Sequence, residues 1–212
     1  MYFKNAGYKT FSGPFDWLAA DDPASLADLL ATDFADLTDV NQLVDHASGL
    51  PHQCGHAKYN ARFFHHFNPR QPDASAYYRR CVDRFRRLGD VIAPGETVLC
   101  LLMVTEDRCD DAILNEIHAH LSRAIGPALE FVACVIAPDR AMLALSVERA
   151  TPSFVKWNMT LTSHTVGTTF ADPRDSTYFH AALHHLYTFD IAPTPFGADG
   201  TFERTTAYDI RM

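Results

Sequence analysis

The run Phe63-Phe64-His65-His66-Phe67-Asn68-Pro69 carries the chemistry most directly read from this chain. Two adjacent histidines stand among three phenylalanines, and a proline ends the run. Imidazole trades protons near neutral pH more readily than any other unperturbed side chain. Phenylalanine walls exclude water and so strengthen charge interactions between them. A histidine in that setting can serve as a general base. The plainer alternative is one hydrogen-bonded core histidine beside one solvated histidine.

A second candidate is Asp16, in Phe11-Ser12-Gly13-Pro14-Phe15-Asp16-Trp17. Gly13-Pro14 marks a turn. Asp16 lies between two large rings, where a carboxylate is costly unless it finds donors. It either caps the turn through its own backbone, as aspartates often do, or orients a histidine elsewhere.

A third is basic. The spacing predicts a helix capped by Asp73 or Ser75 and running to Leu88. Tyr78, Cys81, Val82 and Phe85 form its apolar stripe at i, i+3, i+4 and i+7. Arg79, Arg80, Arg84, Arg86 and Arg87 cover the remainder. Arg79 and Arg86 share one row, and Arg80, Arg84 and Arg87 another. Either they are a solvated face paired with the acidic Asp21–Asp39 stretch, or one row binds an anion through its guanidinium groups.

Metal patterns are weak. His52-x-Cys54-x-His56 has alternate spacing on a polar loop, unlike zinc sites built from closely spaced ligand pairs. His180 and His184 lie one helical turn apart, but position 181 is alanine where a metalloprotease helix carries glutamate. No metal and no cofactor are expected.

The elements that must position these residues read as follows. Asp22-Pro23 opens a helix with Leu26, Leu29 and Leu30 on one face. Asn41–Asn60 reads as irregular and Gly89–Gly95 as a linker. Thr97–Val104 is a continuous apolar run of the kind buried on both faces of a sheet. Asp110 or Asp111 starts the next helix, Gly126-Pro127 ends it, and Leu129–Ala137 is the following strand. This strand–helix–strand unit predicts two parallel strands. Ligands in such sheets sit beyond the carboxyl ends of the strands, which selects Thr105, Glu106, Asp107 and Arg108. Met142–Val147 and Phe154–Thr162 read as further strands, with His164–Thr169 extending the latter, and Asp175 or Ser176 caps a last helix to about Tyr187.

The predicted fold class is α/β: a single three-layer domain over residues 1–212, with a partly parallel central sheet flanked by helices and a loosely ordered tail at 191–212. Its length of 212 residues suits one domain with a substantial core. The formal charge of −8 disfavours nucleic acid as a partner. Apolar runs such as Val98–Val104 are too short to span a bilayer. Five scattered cysteines, with no CxxC, read as reduced thiols in a cytoplasmic protein. Met1–Lys9, with Tyr2, Phe3 and Tyr8, reads as the later part of a helix whose first half is absent.

Ser12-Gly13-Pro14-Phe15-Asp16-Trp17, then His65-His66-Phe67, then Tyr78–Phe85 with its arginines, then an apolar strand ending in a charged loop, resemble the bacterial putative papain-like cysteine peptidases, a domain of unknown function. The resemblance covers about residues 2–137, and Pro-Phe-Asp-Trp is its most specific part. It implies a cysteine-dependent hydrolase or acyltransferase, with His65 as the base and Asp16 as the group that orients it. Trp17, His66, Arg79, Arg80, Glu106 and Arg108 are the candidate substrate-binding residues. The family's Gly-x-x-Cys nucleophile falls before Met1 by spacing, and Cys54, in a polar loop close to His65, is no substitute. The alternative is a non-catalytic or transferase-like α/β domain binding an anionic small molecule or nucleotide-sugar. The expected partner is a small-molecule or peptide substrate, with neither nucleic acid nor membrane; the oligomeric state stays open.

Overall fold

The computed structural model describes residues 13–16, 18–20, 22–45, 54–63, 69–166 and 169–187, with the backbone alone described at Asp16, Ala19, Val166 and Thr169. Four three-residue strands form a small antiparallel sheet: β1 (Leu18–Ala20), β2 (Leu43–Asp45), β3 (Cys54–His56) and β4 (Ala61–Phe63), in the order β1-β4-β3-β2. The Asn41–Asn60 stretch, expected to be irregular, therefore contributes two strands. Its polar composition hid them because each is short and Gly55 lies close against Val44 across the ladder.

Helix α1 (Pro23–Ala31) starts as its sequence predicts. The Asp22 carboxylate accepts from Ser25 N at 2.7 Å, and Pro23 needs no donor at the first position. Ala27, Leu29 and Leu30 turn into the core. The chain then takes a turn in which Asp33, Phe34 and Asp36 all have positive φ. A phenylalanine rarely adopts that conformation. Phe34 is held in it by edge and tilted contacts to Phe85 at 5.5 Å and Phe15 at 5.6 Å.

Helix α2 (Pro72–Arg86) begins two residues earlier than Asp73, and four earlier than Ser75, would have set it, with Gln71 as its cap and Pro72 fixing φ. Tyr78, Cys81, Val82 and Phe85 are buried as expected. Arg84 departs from the solvated face predicted for it and is only 4% exposed. A four-residue helix, α3 (Leu88–Val91), replaces the expected linker. Gly89 fits there because a Cβ would lie 2.8 Å from the Ala124 carbonyl oxygen.

The larger sheet holds β5 (Val98–Thr105), β6 (Leu129–Ala137), β7 (Ala144–Thr151) and β8 (Phe154–Thr160) in the order β5-β6-β8-β7. β5, β6 and β8 are parallel, and β7 joins antiparallel. Helix α4 (Asp111–Ile125), capped by Asp110 on Ala112 N, connects β5 to β6, and Gly126 ends it at φ +75°. Alternate residues of β6 divide between two cores. Phe131 and Ala133 pack with Leu114, Ile117 and Leu121 of α4. Val132, Cys134 and Ile136 pack with Phe179, Ala182 and Leu183 of helix α5 (Pro173–Leu186). The protein is thus an α/β fold with a mixed sheet, as its strand–helix–strand pattern predicts.

Two expectations change near the end. His164–Thr169 does not extend β8 but forms a separate two-residue ribbon, β9 (Thr165–Val166) and β10 (Thr169–Phe170). Asp172, rather than Asp175 or Ser176, caps α5. Asp175 is fully buried and accepts from Thr162 N and Oγ1 and from Ser163 N and Oγ, at 2.5–3.1 Å.

Candidate active site and ligand groove

β5 departs from its sequence pattern in a way that makes the site. An apolar run of this kind suits a strand buried on both faces, yet Val98–Leu102 are only half-buried and Met103 is 40% exposed. The reason is position: among the described residues β5 is an edge strand. Against it lies a groove of ≈540 Å³ that also reaches Ile117 and Leu121 of α4 and Phe131 of β6. β5 is one wall. Phe15, Leu18 and Ala20 form another with Pro23, Leu26 and Leu30 of α1. At the carboxyl end of β5 the lining turns polar, with Thr105, Arg108 and Asp22. The Asp22 carboxyl is held below its ordinary value chiefly by the Ser25 amide, helped by Asn60 at 2.9 Å and by the charge of Arg108.

The ends of the three parallel strands are tied together. Glu106, on the 3-10 turn after β5, accepts from Arg140 at 3.1 Å. Arg140, just beyond β6, donates its amide to Leu161 O at 2.9 Å, and Leu161 N donates to Ala137 O at 3.0 Å. Asp139, at φ +59°, makes the tight turn that allows this. Neither Arg140 nor Asp22 is a sequence candidate for the site, although Asp22 reads as a helix cap. Arg140 stands 34 residues from Glu106, and only the parallel register of β5 and β6 brings them together.

The predicted residues fall in separate places. Glu106 and Arg108 share the turn at the carboxyl end of β5, as the strand–helix–strand reading requires. Arg79 and Arg80 lie on α2 and do not line the groove. Arg79 Nε donates to Thr38 Oγ1 at 3.3 Å, and Arg80 lies over the Tyr77 ring at 5.6 Å. Arg86, in the same row as Arg79, binds Asp33 at 2.9 Å. That row faces the acidic stretch, as one of the two sequence readings had it. Trp17, His65 and His66 lie outside the described residues, as does the side chain of Asp16. The strands beside them are described: Leu18, next after Trp17, pairs with Phe63, the last residue before Phe64 and the histidines. Pro14 is tied to α2 by the Tyr78 hydroxyl, which donates to its carbonyl at 2.8 Å.

All five cysteines are described, and none is in a disulfide. Burial pushes Cys54 up to about 11 and both Cys100 and Cys134 up to about 12. Burial raises Cys109 as well. The thiolate is the nucleophilic form, so these thiols are moved away from reactivity. Cys81 is fully buried on the core stripe of α2. Among the described histidines, His56 has both ring nitrogens engaged by the fold, Nε2 with Asp36 O at 3.2 Å and Nδ1 with Tyr59 N at 3.3 Å. Among the described residues no three His, Cys, Asp or Glu side chains gather closely enough to hold a metal ion, and no helix is long and apolar enough to cross a membrane.

Comparison with known protein families, with characterised proteins and with solved structures finds no match for this chain.

Proposed function

We propose that this chain is an α/β binding domain for a small molecule or peptide that carries an anionic group. The apolar part of the ligand lies in the groove along β5, and its charge meets Arg108. One observation carries this reading: an apolar groove of ≈540 Å³ ends at a guanidinium on the turn after a parallel strand. That volume is in the usual range for ligand sites, about 300–1,000 Å³. The place is the one where α/β sheets hold ligands. Guanidinium suits carboxylate and phosphate through its forked donors. Glu106 is engaged by Arg140 and braces the turn. Five cysteines, none in a disulfide, support a reducing, cytoplasmic setting.

Isothermal titration with decanoate and with decanamide tests it. Decanoate is expected to bind, decanamide to bind at least tenfold more weakly, and Arg108→Gln to abolish the difference. Equal binding of both compounds, or none of either at millimolar concentration, overturns the reading.

A second reading, cysteine-dependent hydrolysis or acyl transfer, is favoured by the Leu18–Phe63 pair and the Tyr78–Pro14 bond. These place the strand ends that lead to the Asp16-Trp17 and His65-His66 segments at one end of one ladder. In this reading His65 is the base, Asp16 orients it, and Trp17 and His66 contact the substrate. The nucleophilic thiol must then be one that burial does not raise. Turnover of p-nitrophenyl acetate that is lost in His65→Ala supports this reading, and turnover equal to that of the variant removes it.

A further inference from the structure

Helix α4 and the β7–β8 hairpin bring together three side chains that stand apart from the groove. Pro152-Ser153 is the two-residue turn of that hairpin, and the register of β7 on β8 shifts between Arg149 and Thr151 just before it. Irregularities of this kind re-aim a side chain. The turn is pinned on both of its residues: Phe131 N donates to Ser153 O at 2.8 Å, and Arg149 Nη1 donates to Pro152 O at 2.7 Å. Ser153 Oγ then lies 2.9 Å from His118 Nε2. Ser122 Oγ, one helical turn after His118, lies 3.2 Å from the same nitrogen. The imidazole is stacked on two rings, Phe154 at 5.3 Å and 28° and Phe131 at 6.1 Å and 17°. Stacking fixes the plane of the ring and so the direction in which Nε2 points. Ser153, His118 and Ser122 are each half-buried, which leaves part of the cluster open to solvent. Burial lowers the His118 pKa from 6.5, so the ring is mostly neutral at pH 7.5. A hydroxyl within about 2.6–3.2 Å of a neutral, oriented imidazole is the arrangement of a nucleophile and its base.

We propose that Ser153 is a nucleophile with His118 as its base, and that the pair hydrolyses activated carboxylic esters. In the tautomer with its proton on Nδ1, His118 Nε2 takes the Ser153 proton while Oγ forms a bond to the ester carbonyl carbon. The intermediate collapses, its bond to the leaving oxygen breaks, and the imidazolium gives its proton to that oxygen. Water then attacks the acyl-serine as His118 takes one of its protons. The Oγ–carbon bond breaks, the proton returns to Oγ, and the carboxylic acid leaves. Ser153 is assigned over Ser122 by its shorter contact and by the turn that the register shift re-aims. Burial makes this imidazole a weaker base than an ordinary one. The leaving group must therefore depart readily, which suits an aryl ester and not an amide. None of the three residues lines the groove against β5, so this activity goes beyond the ligand reading and does not rest on it.

The test uses the full chain at pH 7.5 with p-nitrophenyl acetate and, separately, with a biotinylated fluorophosphonate. Peptide mapping by mass spectrometry follows each reaction. An acetyl or phosphonyl group is expected on Ser153. Ser153→Ala is expected to lose the label and at least tenfold of the turnover, whereas Ser122→Ala keeps both. His118→Gln is expected to lose about a hundredfold, the usual scale for a general base. Circular dichroism checks the fold of each variant, and where His118→Gln unfolds the two serine variants decide. No label on Ser153, or turnover in Ser153→Ala equal to that of the native chain, overturns the proposal. A label on Ser122 in place of Ser153 overturns the assignment. Nuclear magnetic resonance that shows His118 Nε2 carrying the proton at pH 7.5 removes the base. An acetyl group on a cysteine and none on Ser153 refutes this site and leaves the cysteine-dependent reading standing.

Discussion

Arg140 donates to Glu106 across 3.1 Å and so ties the loop after β6 to the turn after β5 that carries Arg108. Both side chains are more than half exposed. An exposed pair of this kind contributes at most about 1 kcal/mol. Its importance is positional, since Arg108 lies two residues from Glu106.

Arg140→Gln is therefore expected to lower the melting temperature by no more than a few degrees while weakening decanoate binding severalfold. Raising the salt concentration should mimic the loss in the native protein, because exposed pairs are screened. Calorimetry and titration on the same samples check this. A fall in stability with unchanged affinity would show that the pair supports the fold and not the ligand turn.

Asp175 is the opposite case, a fully buried carboxylate. Burial by itself would raise its pKa. The hydroxyls and amides of Ser163 and Thr162 outweigh that and hold the carboxyl below its ordinary value. Four donors join the end of β8 to α5 through this one side chain. Asp175→Ala leaves them unpaired, at a cost of about 3 kcal/mol, or roughly 6–12 °C in melting temperature for a chain of this size. A lowered carboxyl pKa stabilises the fold above the unfolded value of about 3.9 and loses that effect as pH falls through the folded value. The difference between native and variant should thus be full at pH 7 and shrink below pH 4. A constant difference from pH 7 to pH 3 would show that packing, not ionisation, is responsible.

His56 sets a second pH dependence, with its own sign. Its Nε2–H donates to the Asp36 carbonyl, and Nδ1 accepts from the Tyr59 amide, so the neutral ring fits the site. Burial lowers its pKa from 6.5, and the Asp36 contact only partly opposes this. The unfolded chain therefore takes up a proton before the folded chain does as pH falls. Stability is full above about pH 6.5 and declines below it. Burial lowers His118 too, where the ring stacks on Phe154 at 5.3 Å, and it adds to the same slope. Nuclear magnetic resonance should show an unprotonated Nδ1 on His56 at pH 7 and a titration midpoint below 6.5. A midpoint at or above 6.5 refutes the assignment.

Much of the scaffold was legible where one local rule decides. Asp22-Pro23 and Asp110 gave caps, Gly126 an end, and Tyr78-Cys81-Val82-Phe85 a buried face. The failures were tertiary. The composition of Val98–Val104 cannot show whether a neighbouring strand covers its second side, so the edge and its groove were invisible. Asp175 reads as a cap, and only folding reveals the Thr162–Ser163 donors twelve to thirteen residues earlier. Glu106 and Arg108 were placed by the rule for parallel strands, but Arg79 and Arg80 were joined to them by charge alone. The structure gives Arg79 to Thr38 and Arg80 to Tyr77. Arg84 shows the same limit: an arginine beside a core stripe was read as solvated, and the packing of α2 buries it.

The thiols decide between the two functional readings, and their chemistry can be read directly. A thiol with an ordinary pKa of about 8.5 is roughly one-tenth ionised at pH 7.5. Cys100 and Cys134, pushed up to about 12 by burial, and Cys54, at about 11, would be ionised to a far smaller extent. Burial also blocks the approach of a reagent to Cys54 and Cys134, which are fully enclosed. Iodoacetamide at pH 7.5 should therefore leave these three unmodified in the folded protein on a timescale that fully labels free cysteine. All five should react once the chain is unfolded in guanidinium. Peptide mapping by mass spectrometry after each treatment identifies the positions. Cys100 gives a further control, because it lines the groove: any slow native labelling there should be suppressed by decanoate. A cysteine that reacts in the folded protein faster than free cysteine would be an activated nucleophile, and the non-catalytic reading would then give way to thiol-dependent acyl transfer.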